Sequence, residues 1–281
     1  MLKLFKYDFR AIKRRLIPLY LVAIIIGVVN QICTTFVIRL SMTASQENAS
    51  FIIFSLLKMV FSLSFFLIMS YASILTIFIL IMNFNNSVYG NEGYLINSLP
   101  ISSKKLILAK YLNFIFWTFI SAIFYIVFYI IGTINSLLAS GQSLKVINSE
   151  LNELKMQLFH SPYFGKFVGV AIIVLICIIL QHLLNSWVFM MCVTFANLVK
   201  SNKLVMGIVT YVVTNIILGI FYFSLMASFL FKLNSDIEIR ENAFFGLMTE
   251  YGITYIVFVA LLNVGIFFLI NYIHSKKIDL E

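Results

Sequence analysis

Residues 59–91 read MVFSLSFFLIMSYASILTIFILIMNFNNSVYGN, without one charged side chain. A helix needs about 20 apolar residues to cross the hydrocarbon core of a bilayer. Working outward, the runs 16–38, 111–144, 167–199, 204–231 and 251–275 are also free of charge and long enough. Backbone buried in lipid has to satisfy its own hydrogen bonds, so runs of this length predict helices. The predicted spans cover residues 17–39, 54–82, 109–137, 167–195, 204–230 and 252–273.

Composition agrees. Hydrophobic residues make up 62% of the 281 and charged residues 11%, against about 45–50% and about 25% in soluble domains. So few charges cannot cover that much apolar surface in water. The chain reads as an all-α membrane protein, one transmembrane domain over residues 1–281 with six helices.

Lys and Arg set the orientation. With six spans both termini share a face. That face holds Lys3, Lys6, Arg10, Lys13, Arg14, Arg15, Lys104, Lys105, Lys110, Lys200, Lys203, Lys276 and Lys277. Its acids are Asp8, Glu92, Asp279 and Glu281. The opposite face balances seven basic against seven acidic residues, so the whole formal charge of +9 lies with the termini. The expected placement is multi-pass in a plasma membrane with both termini cytoplasmic. A basic balance of this origin is a membrane signature, and no nucleic-acid partner is expected.

Residues 1–16, MLKLFKYDFRAIKRRL, precede the first span. Leu2, Phe5, Phe9, Ile12 and Leu16 fall on one helical stripe, with Lys3, Lys6, Arg10, Lys13 and Arg14 mostly off it. This pattern predicts an amphipathic interfacial helix, followed by Pro18 at the membrane entry, where a proline in a first turn costs little. On the outer face, residues 138–166 contain Leu144, Ile147, Leu151, Leu154 and Leu158 at helical spacing and predict a surface helix. Residues 231–251 place the apolar AFFGLM between acids, open to either a surface loop or a short re-entrant helix.

Several chemistries lack their residues. No G-x-x-x-x-G-K-[ST] pattern is present, so no nucleotide or other cofactor is expected on this chain. No acid lies at mid-depth of a span, which argues against ion-coupled transport and against an intramembrane metalloenzyme. Cys33, Cys177 and Cys192 fall inside spans without metal-ligand spacing. No catalytic or metal-binding residue is expected. Polar residues within spans, chiefly Gln181, His182, Asn185 and Asn215, fit interhelical hydrogen bonding or the lining of a path.

The loop 83–108 is the most patterned polar segment: Asn91, Glu92, Gly93, Tyr94, Leu95, Leu99, Pro100, then Ser102, Ser103, Lys104 and Lys105. An acid early in a short helix suits its positive end. Tyr94, Leu95 and Leu99 offer apolar contact, and Pro100 stops the helix. Ser102 or Ser103 then caps the next helix, which runs into the third span. The arrangement is a rigid knob joined to two spans.

The segment YGNEGYLINSLPISSKKLILAK resembles the first cytoplasmic loop of type-2 ABC exporter permeases of Gram-positive bacteria. The shared pattern is an acid, a small residue and an aromatic, then L-P-[IV]-S and a Lys-bearing helix start. LFKYDFRAIKRRLIPLY is similar to their N-terminal elbow helix. The resemblance implies a permease subunit that is not itself an enzyme. Two cytosolic ABC ATPase subunits would bind ATP and Mg for it, and a second copy or a related permease would pair with it among membrane lipids. A cytoplasmic coupling helix between spans two and three would seat on the ATPase through Asn91, Glu92, Gly93, Tyr94, Leu95, Leu99 and Pro100. The elbow would use Phe5, Lys6, Phe9, Arg10, Lys13 and Arg14. The implied cargo is hydrophobic or amphipathic: a peptide, bacteriocin or toxin, an antibiotic or a lipid. The alternative is a scaffold or sensor subunit that binds a cytosolic partner and moves nothing; importer permeases are a nearer rival.

Overall fold

The computed structural model describes residues 2–43, 49–90, 92–93, 102–139, 144–235 and 241–276. Every element among them is an α-helix: α1 (Leu2–Thr43), α2 (Ala49–Val88), α3 (Ser103–Ala139), α4 (Leu144–Phe159), α5 (Phe164–Ala196), α6 (Lys203–Ser235) and α7 (Glu241–Lys276). All but α4 are long and apolar enough to cross a membrane, at Lys3–Ser41, Ile52–Val88, Ser103–Ala139, Phe164–Ala196, Lys203–Leu233 and Phe244–Ser275. The chain is a multi-pass membrane protein, with six helices of spanning length among the described residues. The shortest of these has 33 residues, roughly 50 Å at 1.5 Å per residue, against a hydrocarbon core of about 30 Å. Each helix therefore extends past the core into the interface.

That extra length corrects two expectations. Pro18 does not stand in a first turn, because α1 is continuous from Leu2 to Thr43 with Pro18 inside it. Pro18 lacks an N–H and leaves the Arg14 carbonyl without that helical donor, a loss that spanning helices tolerate. AFFGLM (243–248) forms neither a surface loop nor a separate re-entrant helix; it opens α7, which runs unbroken into the last span. The helix expected within residues 138–166 is present as α4, with Leu154 and Leu158 exposed.

The chain divides into two compact units. One comprises residues 1–4, 81–115 and 158–281. In it α5 packs on α7 and α6. Leu184, Val188 and Cys192 recur every fourth residue on one stripe of α5 and close on Leu218 of α6 and Val259 of α7. Phe221 and Phe258 stack with centroids 3.4 Å apart. Tyr111, near the start of α3, stacks on Trp187 at 3.7 Å and donates its hydroxyl to the Leu183 carbonyl.

The other unit comprises residues 5–80 and 116–157. Ile12 and Leu16 are buried, and Phe9 stacks on Trp117 at 5.2 Å, so the apolar stripe of α1 faces inward as its spacing predicts. Lys6, Arg10, Lys13 and Arg14 are exposed. Farther along, Asn30 Nδ2 donates to the Phe61 carbonyl and to Ser64 Oγ. Gly27 lies against Phe128, where a β-carbon would come within 2.6 Å of Cε1. The small residue lets two helices approach closely, as is common in membranes.

Candidate functional site

The loop between the second and third spans is built on an anchored root. Asn85, in the last turn of α2, accepts the backbone N–H groups of Tyr89 and Gly90, each at 2.9 Å, which closes the helix. Its side-chain Oδ1 accepts from Asn197 Nδ2 at 2.7 Å, so the ends of α2 and α5 are tied together. Asn197 is the C-cap of α5 and also donates to the Val193 carbonyl. The short link to α6 turns through Asn202 at φ 58°, a left-handed conformation that Asn adopts more readily than most residues.

Tyr89 is the centre of this root. Its hydroxyl lies 2.9 Å from Thr194 Oγ1 on α5. Thr194 already gives its one hydroxyl proton to the Met190 carbonyl at 2.9 Å, so Tyr89 is the donor and Thr194 the acceptor. Burial raises the Tyr89 phenol above its ordinary value of 10.0. The phenol keeps its donor proton throughout the physiological range. The ring packs edge-on against Phe84 at 5.7 Å and against His274 of α7 at 5.9 Å. His274 Nδ1 is buried without a partner among the described residues. One side chain thus joins the end of α2 to both α5 and α7.

Above the root, Gly93 N–H donates to the Gly90 carbonyl at 2.8 Å. A β-carbon at Gly93 would overlap the Val88 carbonyl oxygen. That contact is to backbone, so a side chain there requires the loop to move. Glu92, beside it, is exposed. The loop therefore leaves α2 tightly wound, with its acid turned outward. Of the loop residues singled out in the sequence, Asn91, Tyr94, Leu95, Leu99 and Pro100 lie outside the described residues.

The polar residues of the spans form a second cluster. Gln181 Oε1 accepts two tyrosine hydroxyls, from Tyr222 of α6 and Tyr255 of α7, each at 2.7 Å. Its Nε2 donates to Asn185 Oδ1 at 3.1 Å, one turn along α5. A single carboxamide thus bridges three helices. Asn215 instead donates to the Tyr211 carbonyl of its own helix and is exposed, so it is not part of this cluster. His182 is half-buried on α5, and Asn263 of α7 donates to the Leu180 carbonyl at 3.4 Å.

Reasoning from sequence flagged Gln181 and Asn185 but missed Tyr222 and Tyr255. It flagged the loop but missed its anchors, Asn85, Thr194, Asn197 and His274. Asp8, read as one more interfacial charge, is 2% exposed. Asn85 and Asn197, polar at the ends of apolar runs, carried a signal of their own. No protein-family model, curated protein or solved structure matches the chain.

Proposed function

We propose that the chain is the membrane-spanning permease subunit of an ATP-driven ABC exporter, moving a hydrophobic or amphipathic cargo. The observation that carries this reading is the clamped root of the 89–102 loop. Tyr89 ties it to α5 by a half-buried hydrogen bond and to α7 by ring contact, beneath a segment with the sequence pattern of a permease coupling loop. In this reading the loop is cytoplasmic, and residues after Glu92 form the coupling helix that seats on a cytosolic ATPase. Exposed Glu92 makes a charged contact; Tyr94, Leu95 and Leu99 supply apolar ones. ATP closure of two such subunits displaces the loop, and the anchored root passes the movement to α5 and α7 as well as to α2. The basic N-terminal part of α1, an interfacial elbow continuous with its span, flanks the same assembly. A path between two permease subunits would be largely apolar, in keeping with the few charges in the spans.

The test is affinity purification from native membranes in mild detergent through a tag after Glu281, with ATPase activity measured on the eluate. Co-purifying ATPase activity is expected, and the Glu92→Ala/Leu95→Ala variant should lose it while inserting normally. An intact chain that brings down no ATPase would refute the permease reading and favour a scaffold or sensor role.

A further inference from the structure

Two asparagines stand exposed at the depth of the hydrocarbon core. Asn185 of α5 and Asn215 of α6 each lie within three residues of the middle of a charge-free run, 167–199 and 204–231. That is about 5 Å along the helix, well inside a core about 30 Å thick. They share one face of the α5–α6 pair. The two helices run antiparallel: Gly207 adjoins Ala196 near the link between them, and farther along Tyr222 reaches Gln181. Between these points Phe189 stacks on Tyr211, with centroids 5.6 Å apart. Asn185 is one turn before Phe189 and Asn215 one turn after Tyr211, so both lie beyond that stack in the same direction and at the same depth.

Each carboxamide has only part of its bonding used, and the unused parts are complementary. Gln181 Oε1 is taken by two tyrosine hydroxyls, so Gln181 turns its Nε2 to Asn185, which accepts on Oδ1. That orientation leaves the two N–H donors of Asn185 without an acceptor among the described residues. Asn215 is committed the other way. Its Nδ2 donates to the Tyr211 carbonyl at 2.8 Å, and its Oδ1 receives no hydrogen bond among the described residues. Lipid chains supply neither donor nor acceptor, so carboxamides left exposed at this depth are costly. One turn beyond Asn215, a β-carbon on Gly219 would meet nothing within 4 Å. Small residues at such positions let helices approach closely in membranes.

From this complementarity we infer that the face is the contact between two copies of this chain. About a two-fold axis, Asn185 Nδ2 of each copy donates to Asn215 Oδ1 of the other, which gives two identical hydrogen bonds. Gly219 admits the facing helix, and Val212 and Ile216, both exposed, supply apolar contact around the polar pair. The pairing needs only the spanning helices, so it holds or fails separately from the docking of an ATPase.

The experiment uses two differently tagged full-length copies lacking Cys33, Cys177 and Cys192, one with Asn185→Cys and the other with Asn215→Cys, expressed together and oxidised in native membranes. A disulfide joining the two tags is expected. Its yield should fall about tenfold when Asn215→Cys is replaced by Ile217→Cys, exposed at the same depth on another side of α6. Self-association of the solubilised protein is then followed by energy transfer between two labelled pools. Asn215→Leu removes both bonds while leaving the Gln181 cluster intact, and should weaken association by about tenfold. No disulfide between the tags, equal cross-linking through Ile217→Cys, or unchanged association of Asn215→Leu would overturn the assignment. A chain that stays monomeric while Asn215→Cys is alkylated by a water-soluble maleimide would place the face on a water-filled path instead.

Discussion

The hydrogen bond from Tyr89 to Thr194 is the contact on which the anchoring of the loop rests, and its strength can be measured. Tyr89→Phe removes the donor while keeping the ring against Phe84 and His274. Thr194→Val removes the acceptor and also the local bond to Met190, so neither variant alone reports the contact. A double-mutant cycle cancels the local term. The bond is half-buried, 2.9 Å long, and neutral on both sides, which sets a coupling of about 1 kcal/mol; interhelical bonds in membranes average nearer 0.6. The assay is reversible unfolding in mixed micelles, with four variants and a common reference state. The pH dependence follows from the raised phenol. A group whose folded pKa is raised contributes stability below its unfolded value and loses it as pH climbs through the folded one. The unfolded value is 10.0, so the coupling should be the same at pH 7 and pH 9 and decline only in stronger alkali. Coupling below about 0.3 kcal/mol, the level at which independent sites add, would mean that Tyr89 is merely near Thr194, and the anchored-root argument would fail.

Replacing Gln181 by Leu leaves the hydroxyls of Tyr222 and Tyr255 without their shared acceptor. The same unfolding assay should show a loss of about 1–3 kcal/mol, and no loss would remove the cluster from the forces holding α5, α6 and α7 together. Gly27→Ile drives a side chain into Phe128 and should cost about 1–3 kcal/mol by overpacking, whereas Gly219→Ala, with open space around it, should be near neutral. Orientation is checked with single cysteines in a background lacking Cys33, Cys177 and Cys192. Those replacing Lys3, Lys105 and Lys276 should be shielded from an impermeant thiol reagent in intact cells, and one at Lys155 should react. The reverse pattern would invert the topology.

The six spans were legible because charge is expensive in hydrocarbon. Every long interval between charged residues became a helix, and the predicted limits fall inside the observed ones. The limits themselves were less legible, since a helix need not end where the lipid does. Pro18 looked like an entry point because a proline costs least in a first turn, yet α1 starts well before it. AFFGLM looked like a separate dip because acids bracket it, but helix formation carried it into α7. The polar contacts divide along similar lines. Gln181 stood out as a carboxamide in an apolar run. Its partners lie 41 and 74 residues away and are two of 14 tyrosines, which sequence spacing cannot tell apart. Tyr89 shares that problem, and its acceptor Thr194 resembles any other small residue of a span.

The two polar clusters have a joint mechanical consequence because α5 carries both. Gln181 and Thr194 lie on the same helix, roughly 20 Å apart along its axis. Near one end α5 is joined to α2 through Tyr89 and Asn197. Toward its middle it is joined to α6 and α7 through Gln181, and between these lies the apolar stripe from Leu184 to Cys192. A force that moves the end of α2 must either break the Tyr89 and Asn197 bonds or carry α5, with α6 and α7, along with it. The first route costs about 2 kcal/mol, little beside the burial of the α5 stripe, so these two bonds are the weakest joint in the train. If the loop transmits motion, Tyr89→Phe should therefore weaken the response of a bound ATPase to cargo without releasing the ATPase, whereas Glu92→Ala/Leu95→Ala should release it. Finding the two variants indistinguishable would mean that docking and transmission are not separated along this segment.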